Sequence, residues 1–199
     1  GGVGGVGTPV TVVDSDAKRL KAMKGAFGKS GVFKFRKTLR TSTGGAVVLV
    51  SSVLKKKLPR GLPEKTLILR PPEFVVGLGC ERGVSAKAIE TACKKALKAA
   101  EVSPLSVRNF ATIDIKRDER GLIAFAKREG KPVDFFSKAK LKRIKKLPSG
   151  PSRMVMEKVG VGGVCEPAAL LSAGTEKLWV KKIKAGKVTA AVARAPFTS

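Results

Sequence analysis

The 199-residue sequence contains no histidine and no tyrosine. Without histidine the chain lacks the commonest protein metal ligand and the usual general base near neutral pH. A Ser-His-Asp or Cys-His mechanism is therefore excluded within this chain. Any proton transfer has to use Asp, Glu, Lys, Cys or water.

Cysteines are few, and long apolar runs are absent. Cys80, Cys93 and Cys165 are odd in number and show no C-x-x-C spacing, so we predict three reduced thiols, with no disulfide framework and no metal site. No stretch approaches the roughly 20 apolar residues of a membrane span. The Gly-rich start lacks the basic-then-apolar pattern of a secretory signal. We expect a cytoplasmic protein without a membrane partner.

Acidic residues are scarce: 15 Asp plus Glu stand against 41 Lys plus Arg, which gives a net charge of +26. A surface potential of that size favours an anionic partner. Charge alone leaves nucleic acid, anionic membrane and carboxylate-rich small molecules open. Aromatic residues make up 5% and hydrophobic residues 43% of the chain, so the core should consist mainly of small aliphatic side chains, as in buried strands covered by helices.

A linker near residue 60 divides the chain. The run Lys55-Lys56-Lys57 is followed by Pro59 and Pro63 around Gly61, a pattern that cannot continue a helix or a central strand. We predict a small β-rich segment with its linker over residues 1–64 and a second domain over residues 65–199. In the first segment the predicted strands are Thr8–Val13, Val32–Phe35 and Ala46–Ser51, and a helix over Asp14–Met23 is capped by Asp14 or Ser15.

Strands and helices alternate beyond the linker. The predicted strands are Thr66–Leu69, Phe74–Leu78, Val107–Ile115 and Val133–Phe136, and the predicted helices are one capped by Ser85, Glu119–Glu129 and one capped by Ser137. In about the last 50 residues the sequence pattern predicts helices at Pro151–Val159 and Pro167–Ser172. A hairpin of Leu178–Ile183 with Val188–Ala193 is predicted to follow them. Together these patterns predict an α/β fold, a three-layer α/β/α domain with a mostly parallel mixed sheet closed by an antiparallel edge pair.

The segment FVVGLGCERGVSAKAIE predicts an anion site. Its glycines lie between a strand and a helix N-terminus, where free amides and the helix dipole favour an anion. The match to a dinucleotide fingerprint is poor because Arg82 takes the place of the third glycine. Glycines that only permit a tight turn are an equal alternative. The candidate binding residues are Gly77, Gly79, Cys80, Arg82, Gly83, Ser85 and, at the start of a later helix, Glu166.

Cys80 and Asp114 are the residues for which chemistry is predicted from position. Cys80 lies beside Arg82 and a helix N-terminus, which predicts a lowered thiol pKa, with packing as the alternative. Asp114 ends a predicted strand and Lys116 follows in the loop, where α/β sheets display functional groups. Asp114 is the candidate general base, and Lys116 or the backbone amides around Gly79 are the candidate oxyanion stabilisers. An aspartate that only caps the following loop is the alternative.

Four ordered blocks between roughly Leu67 and Arg194 carry a resemblance to a known family. They read LRPPEFVVGLGCERGVSAKAIETA, ATIDIKRDERGLIAFAKREGKPVDFFS, VGVGGVCEPAALLSAG and GKVTAAVAR. In these blocks the sequence resembles the C-terminal domain of cobalamin biosynthesis protein G, the cobalt-precorrin-5A hydrolases, and the related protein E of the aerobic pathway. The resemblance implies a role in vitamin B12 synthesis, in which the δ-lactone of cobalt-precorrin 5A is opened and acetaldehyde is released.

The implied substrate is a cobalt tetrapyrrole fringed with acetate and propionate groups, which agrees with a cationic protein. The substrate carries the cobalt, so no separate cofactor is expected. Full-length hydrolases carry a further N-terminal domain, and binding of the intermediate without turnover is the alternative. Other enzymes of the pathway are implied as partners, and a homodimer is left open. The rival prediction, from the charge and the run KAKLKRIKKL, is a nucleic-acid-binding, ribosome-associated protein, although no nucleic-acid-binding module is recognised.

Overall fold

The computed structural model describes residues 9–39, 45–54, 58–144 and 163–197. The backbone divides into two units, one formed by residues 1–71 with 197–199 and one by residues 72–196. Within the described ranges, no helix is long and apolar enough to cross a lipid bilayer. The helix predicted at Pro151–Val159 lies outside the described residues.

The first unit is built around a four-stranded parallel sheet. Its elements are β1 (Val10–Asp14), α1 (Ala17–Phe27), β2 (Phe33–Arg36), β3 (Val47–Val50) and β4 (Thr66–Leu69). The strands lie in the order β2-β1-β3-β4. The small core of this unit consists of Val13, Val47 and Leu49.

The start of α1 differs from the prediction. The carboxylate of Asp16 caps the helix by accepting hydrogen bonds from the backbone N–H groups of Lys18 and Arg19. Asp14 is buried at the end of β1 and forms an ion pair with Arg19. The predicted caps, Asp14 and Ser15, are therefore wrong, because burial of the last strand residue moves the helix start further along the chain.

Strand β4 belongs to the first sheet. It pairs in parallel with β3, with Val47 opposite Thr66. The division between the units falls after Pro71, later than the predicted boundary at residue 64. Because β4 completes the first sheet, the Pro-rich run that precedes it lies inside the first unit.

The second unit is built around a five-stranded mixed sheet. Its elements are β5 (Phe74–Cys80), α2 (Ala86–Ala100), β6 (Val107–Ile113), α3 (Arg120–Glu129), β7 (Val133–Phe136), α4 (Lys138–Lys142), α5 (Cys165–Ala173), β8 (Leu178–Ala185) and β9 (Val188–Arg194). The strands lie in the order β7-β6-β5-β9-β8. Strands β5, β6 and β7 are parallel, β9 pairs antiparallel with β5, and β8 pairs antiparallel with β9. The predicted three-layer α/β fold with an antiparallel edge pair is confirmed.

Helix α2 covers one face of this sheet as its periodicity predicts. The Ser85 side chain accepts a hydrogen bond from Ala88 N and caps the helix. The apolar residues at three- and four-residue spacing are buried, and the lysines between them are exposed. The buried residues are Ile89, Ala92, Cys93, Ala96, Leu97 and Ala100. Cys93 is therefore a core residue, as predicted.

Helix α5 covers the opposite face and approaches β5 unusually closely. It is apolar almost all round and buried along most of its length. A Cβ atom added to Gly77 would lie 1.9 Å from the carbonyl oxygen of Cys165 and 2.8 Å from Ala169 N. Only glycine therefore lets the first turn of α5 lie against the central strand.

Candidate functional site

A cavity of about 560 Å³ opens at the carboxyl ends of β5 and β6, beside the turn between β8 and β9. Open α/β sheets commonly bind ligands at this edge. Its lining comes from the chain segments at the ends of β5 and β6, from the hairpin of β8 and β9, and from the start of α5. The lining residues are Gly79, Cys80, Glu81, Arg82, Thr112, Ile113, Ile115, Lys116, Gly163, Val164, Cys165, Lys182, Lys184, Gly186, Lys187 and Thr189.

Two side chains tie the turn after β5 to the loop after β6. Gly83, at a φ of 74°, donates its N–H to Glu119 Oε1 over 3.0 Å. The guanidinium of Arg82 binds both carboxylate oxygens of Asp118 at 3.1 and 3.0 Å and donates to the Ile115 carbonyl over 3.1 Å. The two loops are thus held together at the mouth of the cavity.

A close backbone approach supports these links. A Cβ atom on Gly121, in the first turn of α3, would lie 2.0 Å from the Val84 carbonyl oxygen. Glycine at this position lets the start of α3 lie against the segment before α2. Glu119 and Gly83 are thereby brought within hydrogen-bond distance. The sequence shows the glycine but gives no signal of this packing.

Lys116 places a buried cation in the cavity wall. It is 7% exposed, and its ammonium lies 3.5 Å from Glu119 Oε2, its one hydrogen-bond partner among the described residues. An ammonium group has three donors. Lys116 therefore retains capacity to bind a further anion.

The hairpin of β8 and β9 supplies three more cations, Lys182, Lys184 and Lys187. Its turn depends on Gly186, whose φ is 58°. Lys187 also pairs with Glu81 at 3.6 Å on the surface. The hairpin was predicted from the sequence, but the role of its lysines was not. Alternating lysines at the end of a predicted edge strand were the signal that could have indicated it.

The N-terminus of α5 forms the remaining wall. Its cap residue, Val164, provides no side-chain hydrogen bond, so the first-turn amides add a partial positive charge to the cavity. Glu166 in that turn is buried, and its Oε1 accepts a hydrogen bond from Lys182 N over 2.9 Å. Glu166 thus connects α5 to β8.

The thiols of the cavity are largely protonated at neutral pH. Burial raises the pKa of Cys80, and the nearby Lys116 ammonium opposes that effect only in part. The predicted lowering of the Cys80 pKa is therefore wrong, because desolvation outweighs the neighbouring charge. Burial also raises the pKa of Cys165 to about 11. Across the described ranges, no three His, Cys, Asp or Glu side chains are grouped as a metal site would need.

The predicted site residues fall into two groups. Gly79, Cys80, Arg82 and Lys116 line the cavity together. The other five do not line it: Gly83 follows Arg82 in the turn, Gly77 lies beneath α5, Ser85 caps α2, Glu166 holds β8, and Asp114 begins the turn Asp114–Lys116. The sequence did not single out Thr112, Ile115, Thr189 or the hairpin lysines.

Comparison with known proteins gives consistent matches over the second unit. A sequence profile described as Cobalamin synthesis G C-terminus matches residues 74–193. The chain is 36% identical over 159 residues to a cobalt-precorrin-5A hydrolase of Priestia megaterium, covering 80% of this chain and 42% of the relative. It is 37% identical over 121 residues to Protein CobE of a Sinorhizobium species, covering 60% of this chain and 79% of that protein.

The fold has a matching solved structure as well. The crystal structure of CobE, a protein from the cobalamin (vitamin B12) biosynthetic pathway, superposes with a TM-score of 0.58 at 32% identity, covering 63% of this chain and 93% of that one. The chain spans about two fifths of the length of the Priestia hydrolase. These matches give no support to the nucleic-acid alternative.

Proposed function

The chain belongs to the cobalamin synthesis G C-terminus family, and from this we propose that it acts in cobalamin biosynthesis by binding a cobalt-precorrin intermediate in the cavity at the carboxyl end of its second sheet. The relative from Priestia is a cobalt-precorrin-5A hydrolase. The matching ligand class is a tetrapyrrole whose edge carries many carboxylates.

The charge of the cavity is the observation that carries this proposal. Five cationic side chains line it, and the one carboxylate among the lining residues, Glu81, is paired with Lys187. The α5 N-terminus adds its dipole on one wall. A volume of about 560 Å³ lies in the range common for small-molecule sites. A polycarboxylate gains charge-assisted hydrogen bonds here that a neutral ligand lacks.

For lactone opening, we propose that Asp114 takes a proton from the water as it attacks the lactone carbonyl and that Lys116 stabilises the oxyanion of the tetrahedral intermediate. The ring C–O bond then breaks, and the departing alkoxide takes up the proton from Asp114. Lys116 lines the cavity directly. Asp114 is half-buried, and Ile113 and Ile115 on either side of it both line the cavity. We propose binding as the function of this chain by itself and hydrolysis as the activity that the binding serves.

The binding proposal is tested by titrating the protein with cobyrinic acid, a cobalt corrin with free carboxylates, at near-physiological salt. Cobyric acid, in which most of these carboxylates are amidated, is the matched ligand and should bind much more weakly. The Lys184→Met variant removes an exposed cation of the cavity and should weaken cobyrinic acid binding about three- to fivefold, as for one exposed charge contact.

The matched protein control is Lys181→Met. Lys181 lies on the same strand, is also exposed, and does not line the cavity. It should leave the affinity unchanged. Equal losses in both variants would indicate a general field effect rather than a site. Tight binding of duplex RNA without binding of cobyrinic acid would overturn the proposal in favour of nucleic acid.

A further inference from the structure

Ile115 is an exposed apolar side chain in the wall of the cavity. It is 48% exposed, whereas Ile113, two residues earlier in the same wall, is 2% exposed. Single exposed apolar residues are common on protein surfaces and by themselves need no explanation. Ile115 differs in two respects, the rigidity of its turn and the charges around it.

The turn Asp114–Lys116 that presents Ile115 is fixed by hydrogen bonds. The Ile115 carbonyl accepts a hydrogen bond from Arg82 Nη2 over 3.1 Å, and the Asp114 carbonyl accepts one from Arg117 N over 3.1 Å. The next residue, Lys116, is buried against Glu119. The backbone of Ile115 is therefore held in place before any ligand arrives, so that little backbone entropy is lost when its side chain is covered.

Cations surround this apolar position. Arg82 and Lys116 lie on its own side of the cavity, and Lys184 and Lys187 come from the hairpin. Ile113 and Val164 extend the apolar surface of the wall. An apolar wall within a cationic frame is complementary to a ligand that has an apolar face and a carboxylate-bearing edge.

We infer that Ile115 packs against the face of the tetrapyrrole macrocycle while the surrounding cations bind the carboxylates of its edge. This inference rests on the proposed function and adds a specificity residue to it. Ile115 distinguishes a macrocycle from an open-chain polycarboxylate of similar charge, because only the macrocycle offers a surface that buries the isoleucine.

The test compares Ile115→Ala with Ile123→Ala. Ile123 is 46% exposed on α3 and does not line the cavity, so it loses the same atoms at a similar exposure elsewhere. Ile115→Ala should weaken cobyrinic acid binding about five- to tenfold, the effect of losing roughly half of an isoleucine burial. Ile123→Ala should have no effect, and Ile115→Leu should retain most of the affinity.

Two further readouts separate packing from charge. Ile115→Ala should leave the slope of log Kd against log salt concentration unchanged, because no charge is removed. The affinity for butanetetracarboxylate, which has no macrocycle, should also stay the same. An equal loss for both ligands would overturn the inference, since it would mean that the substitution only alters the turn.

Failure of the inference and of the proposed function give different results. If wild type binds cobyrinic acid and Ile115→Ala binds it equally well, the inference is wrong and the proposed function stands. If wild type does not bind cobyrinic acid, both are wrong. Binding of an apolar peptide in competition with cobyrinic acid, lost in Ile115→Ala, would assign Ile115 to a protein partner instead.

Discussion

Replacing Gly77 with alanine should displace α5 from the sheet and weaken both the second unit and its cavity. The added Cβ would lie 1.9 Å from the Cys165 carbonyl oxygen, a backbone atom that cannot rotate away as a flexible side chain could. Strand β5 is paired on both sides, with β6 and β9, so it cannot easily move away. The helix has to move instead.

The magnitude follows from that displacement. Ordinary contact begins near 3.4 Å, so the first turn of α5 must shift by more than an ångström. Such a shift disturbs the packing of Ala168, Ala169 and Leu170, all buried between helix and sheet. Overpacking a core costs about 1–3 kcal/mol, and a backbone clash belongs at the upper end. We expect a loss of about 3 kcal/mol in the free energy of unfolding, or roughly 10 °C in Tm.

Urea unfolding monitored by circular dichroism measures this loss, and graded controls are available. At Gly79 the nearest atom to an added Cβ is the Thr189 hydroxyl at 2.7 Å, a side chain that can rotate, so Gly79→Ala should cost less. Gly25, inside α1, has no atom within 4 Å of an added Cβ, and Gly25→Ala should be neutral or stabilising by about 0.5–1 kcal/mol. A Gly77→Ala protein with wild-type stability would refute the close approach of α5.

Two predictions concern chemistry in the site. In a full-length hydrolase that contains this domain and releases acetaldehyde from cobalt-precorrin 5A, Asp114→Asn should lower the rate about 100-fold or more, the usual effect of losing a general base, and an unchanged rate would remove Asp114 from that role. Cys80 should react with iodoacetamide at neutral pH more slowly than an unperturbed thiol, because burial raises its pKa and less thiolate is present, and labelling should accelerate as the pH rises. Bound cobyrinic acid should protect Cys80 further, and labelling faster than that of glutathione would show that Lys116 outweighs burial.

The second sheet could be predicted because its signals are local. The apolar face of α2, its Ser85 cap and the alternation of strands with helices each follow from residues a few positions apart. Thr66–Leu69 was predicted to belong to the second domain, but it forms a strand of the first sheet. That strand carries no sequence mark of its partner, and its pairing with Val47–Val50 depends on tertiary structure.

Only the part of the candidate site that follows β5 and β6 could be predicted from the sequence. Gly79, Cys80, Arg82 and Lys116 follow strands that the pattern identifies, and the ends of parallel strands meet at one edge. The hairpin lysines reach the same edge because β9 pairs antiparallel with β5, across more than a hundred residues of sequence, as the Gly79 and Thr189 pair shows. The glycine pattern alone did not show which glycines reach the cavity. Gly77 packs against α5, whereas Gly79, two residues later, lines the cavity.

The charges around the cavity have divided roles. Asp118 and Glu119 bind Arg82 and the Gly83 amide and so fix the two loops, while Glu166 binds the backbone of β8. These carboxylates are engaged with groups of the protein and do not line the cavity. The scarcity of acidic residues in the sequence thus has a local counterpart: carboxylates near the cavity hold its frame, and five cations line it. Three of these cations, Arg82, Lys116 and Lys187, are already paired with carboxylates. Lys182 and Lys184 supply the charge that a polyanion would compensate and a neutral molecule of the same shape would not, so the frame favours a polyanion.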